Sequence, residues 1–90
     1  MDKISRDIIG EAGYGRYFGH GLGHSVGIDI HENPRLSPVC HDVLTENTTM
    51  TVEPGIYVPG LGGVRIENTC VIGAEKSESF VYFTKDLLIL

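Results

Sequence analysis

The sequence predicts an α+β domain in which one N-terminal helix packs on a curved, mostly antiparallel sheet. Three observations favour this class: helical spacing of apolar residues over 2–12, alternation over 22–30, and strand-like segments at 49–58 and 64–72 separated by a glycine-rich turn. The 90 residues allow one domain at most. A chain of this size buries only about 60–65% of its unfolded surface, so we expect marginal stability.

Charge and composition argue against several classes of function. The formal net charge is −5 and the pI is near 5.2, which leaves no basic stripe for a phosphate backbone. No apolar run approaches the roughly 20 residues of a membrane span, and we expect no signal peptide. Cys40 and Cys70 lack metal-site or disulfide-scaffold spacing. We therefore expect free thiols in a cytoplasmic protein that binds neither nucleic acid nor membrane.

The first element is a helix from Asp2 to Ala12. Ile4 and Ile8 lie one helical turn apart and predict its buried face. Asp2 is the expected N-cap, and Gly13 stands where a C-terminal glycine would end the helix. With the strands described next, this helix predicts the following core: Ile4, Ile8, Val26, Ile28, Val52, Ile66 and Ile72.

Alternation from Leu22 to Ile30 predicts a strand, but two of its histidines do not fit an unbroken one. His24 and His31 are an odd seven residues apart, which would put them on opposite faces. Both can line one pocket only if the strand bends, and Gly27 is the expected position. The Asn33–Pro34 pair then predicts a turn and a polar loop towards Asp42, with His41 as a surface histidine in it.

Two glutamates are predicted to meet across a hairpin. Thr49 to Val52 reads as a strand, and Glu53 should end it because the residue before a proline is held extended. The turn at 59–63 then places Glu53 beside Glu67 on the return strand, where two carboxylates would repel unless a cation lay between them. The alternative is that Glu67 pairs with Arg65 while Glu53 faces solvent.

The end of the chain carries no expected chemistry. The polar stretch 73–79 is expected to be a connector, and 80–83 a last strand. The apolar residues 87–90 should dock on the domain.

The stretch 19–32 is the strongest chemical signal, because it contains three of the four histidines among four glycines. A glycine-bent strand with satisfied histidines would explain any one of these residues. Together with Glu53 and Glu67 downstream, they favour a metal site.

These motifs resemble one known family. The segments His20-Gly-Leu-Gly-His24-Ser-Val-Gly-Ile-Asp-Ile-His31-Glu, Thr51-Val-Glu-Pro-Gly-Ile-Tyr57 and Gly63-Val-Arg-Ile-Glu67 are similar, in this order, to those of pita-bread metallopeptidases. Within that family they look most like Xaa-Pro dipeptidases (prolidases) and Xaa-Pro aminopeptidases. The resemblance runs from about Asp2 to Leu90 and implies half of a pita-bread fold, with residues 1–90 as the C-terminal half of a catalytic domain.

The resemblance also implies roles for six residues and a cofactor. His24, Glu53 and Glu67 match metal ligands, with Glu67 bridging two divalent ions. His20, His31 and Arg65 match catalytic positions, the two histidines facing substrate. Manganese is the expected metal, with cobalt or zinc as alternatives. The implied substrate is a short proline-containing peptide.

One departure from the family pattern changes what is expected of this chain alone. The family takes two further aspartates from a preceding half-domain, and none of the aspartates here matches them. We therefore expect a fragment that is inactive without its N-terminal half. The expected assembly of the parent enzyme is a homodimer. The alternatives are a non-catalytic pita-bread binding module, a methionine aminopeptidase-type enzyme, and a small free-standing metal-binding protein.

Overall fold

The computed structural model describes residues 1–90 and contains one α-helix and seven strands, all paired antiparallel. A single 3-10 turn, Gly15–Tyr17, follows the helix. A five-stranded sheet has the order β2-β1-β3-β6-β7, and β4 and β5 form a separate two-stranded sheet. The predicted α+β class is confirmed. The elements are α1 Asp2–Glu11, β1 Gly23–Ser25, β2 Glu32–Leu36, β3 Thr49–Val52, β4 Gly55–Val58, β5 Gly62–Arg65, β6 Asn68–Ile72 and β7 Ser77–Ser79.

The helix ends where the sequence predicts. Gly13 has φ +90°, the left-handed conformation that glycine adopts without a Cβ penalty. The Tyr14 N–H donates to the Ile9 carbonyl and the Gly13 N–H to the Gly10 carbonyl, the two bonds of a Schellman motif.

The start of the helix differs from the prediction that Asp2 is its N-cap. Met1 occupies that position, and Asp2 is the first helical residue. Its buried carboxylate accepts hydrogen bonds from the Arg6 guanidinium and from the backbone N–H of Leu22. The carboxylate therefore joins the helix to a distant loop and caps nothing.

The strand predicted over 22–30 is much shorter in the structure. β1 ends at Ser25, with a register irregularity against β2 between His24 and Ser25. The chain then bends through 27–31, where the Gly27 N–H donates to the Asp29 carbonyl and the Asp29 N–H to Glu32 Oε1. A Cβ at Gly27 would lie 2.5 Å from the Glu32 carboxylate oxygens, so a larger residue would require the Glu32 side chain to move. The predicted bend is present, but the pairing of β1 with β2 already becomes irregular before it, between His24 and Ser25.

The expected turn at Asn33–Pro34 is wrong. These residues lie inside β2, which pairs with β1, and their peptide bond is cis. Since β2 is the edge of the sheet, a proline without an N–H donor is tolerated in it. His41 follows in an exposed loop, as predicted.

The hairpin at 59–63 is confirmed, but its return strand is split. β5 pairs only with β4, and β6 pairs with β3 in the other sheet. Between them the strand is interrupted at Ile66 and Glu67. The Ile66 N–H donates to the Pro54 carbonyl at the junction. The return segment therefore passes from one sheet to the other beside Glu53.

The core is small and differs from the predicted one. Of the predicted residues, Val26, Val52 and Ile72 are half-buried, whereas Ile4, Ile8, Ile28 and Ile66 are exposed, so those four assignments are wrong. The helix faces the domain with Asp2, Arg6 and Ile9, and the helical apolar spacing does not reveal this. The buried hydrophobic residues are Phe18, Leu22, Leu36, Met50 and Cys70.

The end of the chain also departs from expectation. The connector contains β7, which pairs with β6, while 80–83 forms no strand. The terminal residues Leu87 to Leu90 remain exposed and do not dock. No helix in the structure has the length and apolar character needed to cross a bilayer.

The Asp2 carboxylate should make stability fall in acid. Burial opposes its ionisation, but the hydrogen bonds from Arg6 and Leu22 outweigh burial and lower the pKa of Asp2 below its ordinary value of 3.8. Its contribution is therefore complete above about pH 4 and is lost as the pH falls through the lowered folded-state pKa. We expect Asp2→Asn to reduce the free energy of unfolding by about 1.5–3 kcal/mol at pH 7.

Urea unfolding at several pH values measures this effect. The difference between the wild-type chain and Asp2→Asn should narrow as the pH is lowered below 4. A difference that is constant from pH 7 to pH 3 would contradict the assignment.

Candidate active site

The predicted site residues meet on one face of the structure. Five of the six, His20, His24, His31, Glu53 and Arg65, line a cavity of about 260 Å³ that has no hydrophobic residue in its wall. The sixth, Glu67, lines an adjoining cavity whose wall also includes His24, Glu53 and Arg65. The carboxylates of Glu53 and Glu67 therefore emerge on the same side of the sheet.

His24 and Glu53 form the closest pair in the site. His24 Nε2 lies 3.1 Å from Glu53 Oε1, and both side chains are largely buried. The Thr51 hydroxyl supports them both, since it accepts the His24 N–H at 3.0 Å and donates to Glu53 Oε1 at 2.9 Å. This hydroxyl fixes the spacing between β1 and the end of β3.

The hydrogen bonds of His24 show that this pair needs a positive charge. His24 Nδ1 lies 3.1 Å from the Ser25 carbonyl, which can only accept, so Nδ1 carries the proton. In the neutral imidazole, the Nε2 lone pair then points at a carboxylate oxygen. Two acceptors at 3.1 Å repel unless a proton or cation lies between them.

The distance between these two atoms is the one expected of two ligand atoms on one divalent metal ion. Two ligand atoms about 2.0–2.2 Å from one ion, at an angle near 90–100°, are themselves about 3 Å apart. The separation of His24 Nε2 and Glu53 Oε1 has this value. An imidazole whose other nitrogen donates to a carbonyl is the usual arrangement of a histidine ligand.

The Glu67 carboxylate does not join His24 and Glu53 in a cluster of three metal ligands. Arg65 Nε lies 3.6 Å from Glu67 Oε2 and 3.8 Å from Glu53 Oε2, so the guanidinium stands between the two carboxylates. No group of three His, Cys, Asp or Glu side chains in the chain converges closely enough to hold an ion. The contact between Glu67 and Arg65 agrees with the alternative interpretation, but its second part is wrong, because Glu53 is largely buried beside His24 and does not face solvent.

The two flanking histidines occupy different environments. The exposed His31 ring lies 4.4 Å from the His24 ring, centroid to centroid. The His20 ring is fixed on both nitrogens: Nδ1 lies 2.8 Å from the Gly21 carbonyl and Nε2 lies 3.0 Å from the Tyr57 hydroxyl. His31 is therefore free to meet a ligand, whereas His20 is held within the protein.

Sequence reasoning missed three residues of this site. Arg35 and Ser37 line the main cavity, and Arg35 stands opposite His24 in the ladder between β1 and β2. They were missed because this segment was expected to be a loop, and recognising β2 as a strand would have found Arg35. Tyr57 carried no spacing signal, since its partner His20 is 37 residues away.

Gly55 makes the contact between His20 and Tyr57 possible. Gly55 is buried, and a Cβ there would lie 2.6 Å from the Tyr57 hydroxyl oxygen and 3.2 Å from His20 Nε2. A side chain at this position would therefore require the Tyr57 side chain to move.

Comparisons with known proteins agree with these motifs. The model of metallopeptidase family M24 matches residues 1–74. The chain is 48% identical over 88 residues to an Xaa-Pro dipeptidase of Pyrococcus horikoshii and 50% identical over 88 residues to one of Pyrococcus furiosus. These alignments cover 98% of this chain and 25% of each relative, so the chain spans about a quarter of the relatives' length.

Solved structures show the same relationship. An Xaa-Pro dipeptidase from Bacillus anthracis superposes with a TM-score of 0.96 at 48% identity, over 99% of this chain and 25% of that one. An X-prolyl aminopeptidase from Caenorhabditis elegans, described as a cytosolic enzyme with a di-nuclear active site, gives 0.67 at 34% identity, over 78% of this chain and 11% of that one. The half pita-bread fold implied by the resemblance is confirmed.

The crowding at Gly55 predicts the effect of a single methyl group. Gly55→Ala should lower the free energy of unfolding by about 1–3 kcal/mol, because the new Cβ overpacks the Tyr57 hydroxyl. Gly19→Ala is the matched control, since a Cβ at Gly19 meets nothing within 4 Å. Urea unfolding of both variants measures the difference. Equal stabilities would show that the Tyr57 side chain moves aside and that the close approach is not required.

Proposed function

Because this chain belongs to metallopeptidase family M24, we propose that it forms part of a two-metal hydrolase that cleaves Xaa-Pro peptide bonds. The observation that supports this most directly is the pair formed by His24 Nε2 and Glu53 Oε1, two acceptors held 3.1 Å apart in a buried site. The relatives named Xaa-Pro dipeptidases, at 48% and 50% identity, support the choice of substrate.

His24, Glu53 and Glu67 are the proposed ligands and would hold the divalent ions. Two divalent cations would supply Lewis acidity, which lowers the pKa of a water nucleophile and polarises the scissile carbonyl. A set of one imidazole and two carboxylates, without a thiolate, suits a hard or borderline ion, and manganese is our first choice. Cobalt and zinc are the alternatives.

The proposed roles of the other three residues differ, because only His31 is free to reach substrate. The exposed His31 imidazole beside His24 is well placed to donate a hydrogen bond to an oxyanion formed at the scissile carbonyl. Arg65, near both carboxylates, offsets their negative charge. His20 is proposed to face the substrate side of the cavity, with the Tyr57 hydroxyl occupying its Nε2.

The lining of the cavity favours a short, polar substrate. Its volume of about 260 Å³ lies just below the ~300–1,000 Å³ of typical small-molecule sites. Arg35 in its wall could pair with the free carboxylate of a dipeptide. The relatives at 48% and 50% identity are named Xaa-Pro dipeptidases, so the proline-directed alternative is preferred to a methionine aminopeptidase. A non-catalytic module would have no need of three ligand-competent side chains on one face.

The proposal includes a cellular location and two partners for the protein. A cytoplasmic location is supported by two free cysteines and by the relative described as cytosolic. The proposed partners are an N-terminal half-domain, which would supply two further aspartates, and a second copy of the parent enzyme.

Activity is expected only when both halves are present. A full-length enzyme containing this chain should hydrolyse an Xaa-Pro dipeptide after manganese is added, whereas the 90-residue chain should show no turnover above background. The assay measures release of proline. Turnover by the 90-residue chain at enzymatic rates would contradict the two-half proposal, and an inert full-length protein with bound metal would favour the non-catalytic module.

Arg35 provides a test of dipeptide specificity in the full-length enzyme. Arg35→Ala should raise KM for an Xaa-Pro dipeptide by about 10-fold to 100-fold, because a charge-assisted pair with the substrate carboxylate is lost. The same substitution should leave KM for the corresponding Xaa-Pro amide unchanged. An equal rise in KM for the dipeptide and the amide would show that Arg35 does not bind the carboxylate of the substrate.

His24→Ala and His31→Ala separate a ligand from a substrate contact. In the full-length enzyme, His24→Ala should lower metal content and activity together. His31→Ala should keep the metal and lower kcat by about 10²–10³, the usual loss for one oxyanion donor. Metal analysis of the purified variants decides between the roles. Loss of metal in His31→Ala and its retention in His24→Ala would exchange the two assignments.

A further inference from the structure

Strands contact the loop that carries His20 at its C-terminal end, where a Cβ at Gly21 would lie 2.8 Å from the Leu36 carbonyl oxygen and the Glu53 N–H donates to the Leu22 carbonyl. Residues 18–22 run between the 3-10 turn and β1 without regular structure, and two of them are glycines. A Cβ at Gly19 would meet nothing within 4 Å, so the first part of the loop has no such close packing. The backbone at Phe18 and His20 is instead held by hydrogen bonds from a side chain.

One ion pair on α1 binds the polar backbone groups at alternate positions of this loop. Arg6 donates from Nη1 to the Phe18 carbonyl at 2.9 Å and from Nη2 to the His20 carbonyl at 2.8 Å. Asp2 Oδ1 accepts the Leu22 N–H at 3.0 Å. These three bonds serve the loop as a neighbouring strand would.

The ion pair is itself rigid. Arg6 holds the Asp2 carboxylate through a fork, from Nε to Oδ2 at 2.8 Å and from Nη2 to Oδ1 at 3.2 Å. The Asp2 side chain is 6% exposed and that of Arg6 28% exposed, so water screens the pair little. The Arg6 guanidinium also lies over the Phe18 ring, 4.3 Å from its centroid.

The loop in turn holds the imidazole of His20 in one state. The Phe18 ring meets the His20 ring edge-on, with centroids 5.2 Å apart. The Gly21 carbonyl can only accept, so the proton of neutral His20 is on Nδ1 and the lone pair of Nε2 accepts from the Tyr57 hydroxyl. If the loop moved, the ring would lose the Gly21 bond and the packing against Phe18.

A second pair on the same helix shows that anchoring is not a general property of such pairs. Lys3 and Asp7 have the same i, i+4 spacing but are exposed and bind each other alone. Both pairs can stabilise the helix, yet only Asp2 and Arg6 reach the loop.

We propose that Asp2 and Arg6 are positioning residues for His20: they fix the backbone at Phe18, His20 and Leu22, so that the imidazole keeps its proton on Nδ1 and accepts from Tyr57 at Nε2. The link to catalysis rests on the proposed function, whereas the effect on the ring does not.

Nitrogen-15 NMR of the His20 ring in the full 90-residue chain tests the proposal directly. Arg6→Lys keeps the positive charge but cannot bind Asp2 and two carbonyls at once, because an ammonium lacks the guanidinium fork. We expect the His20 ring to change from one tautomer to a mixture and the Leu22 amide to exchange with solvent at least about 10-fold faster. Asp7→Asn is the matched control and should change neither signal, and the exposed His41 serves as an internal reference.

Two further variants keep the test decisive if Arg6→Lys does not fold. Asp2→Asn retains an oxygen for the Leu22 N–H and should also give mixed tautomers. Tyr57→Phe removes one hydroxyl and should disturb the ring while leaving Leu22 exchange unchanged. A single His20 tautomer in a folded Arg6→Lys or Asp2→Asn chain would overturn the proposal. Unfolding of both variants would overturn it too, by showing that the pair anchors the whole domain.

Kinetics of the full-length enzyme then connects the ring to turnover. Arg6→Lys should lower kcat by about 10-fold to 100-fold with little change in KM, since misplacement of a catalytic group by about 1 Å has this order of effect. If the ring changes but kcat does not, the catalytic role of His20 fails and the positioning of its ring stands. An inactive wild-type enzyme would instead refute the proposed function, leaving the NMR result unaffected.

Discussion

The antiparallel pairing of β3 with β6 is the contact on which the rest of the site depends. Met50 and Cys70 face each other at its centre, both buried, and the ladder ends where Val52 meets Asn68. Beyond that point the segments that continue from β3 and precede β6 are no longer paired, and they carry Glu53 and Glu67. On its other edge β3 pairs with β1, and the Glu53 N–H donates to the Leu22 carbonyl. A short central strand therefore brings the histidine and both carboxylates together.

The parts of the fold that depend on local chemistry could be predicted from sequence. Gly13 ended the helix through its left-handed backbone, Pro54 ended a strand, and the glycine-rich turn closed a hairpin. Each of these features depends on a few neighbouring residues, so its physical cause is visible in the sequence itself.

The features that could not be predicted depend on contacts between distant segments. Asn33 and Pro34 have turn chemistry, yet an edge position in the sheet lets them join β2. Ile4 and Ile8 have the spacing of a buried face, but the ion pair of Asp2 and Arg6 turns a different side of the helix inward. Arg35 could not be placed in the cavity until β2 was known to pair with β1. In each case a nonlocal contact outweighed a local preference.

Charge, more than apolar packing, organises the region around the cavity. Only five hydrophobic residues are buried, and at 90 residues such a core leaves little stability to spare. The loop before β1 is instead held by charge-assisted hydrogen bonds, which are directional and roughly twice as strong as neutral ones. Direction is what a site needs, because an apolar contact tolerates a ring rotation that would misplace a proton. The buried carboxylate of Asp2 thus fixes the backbone of the loop at Leu22. At the end of the central strand, the Glu53 carboxylate faces the Nε2 acceptor of His24, and only a proton or cation between them removes the repulsion.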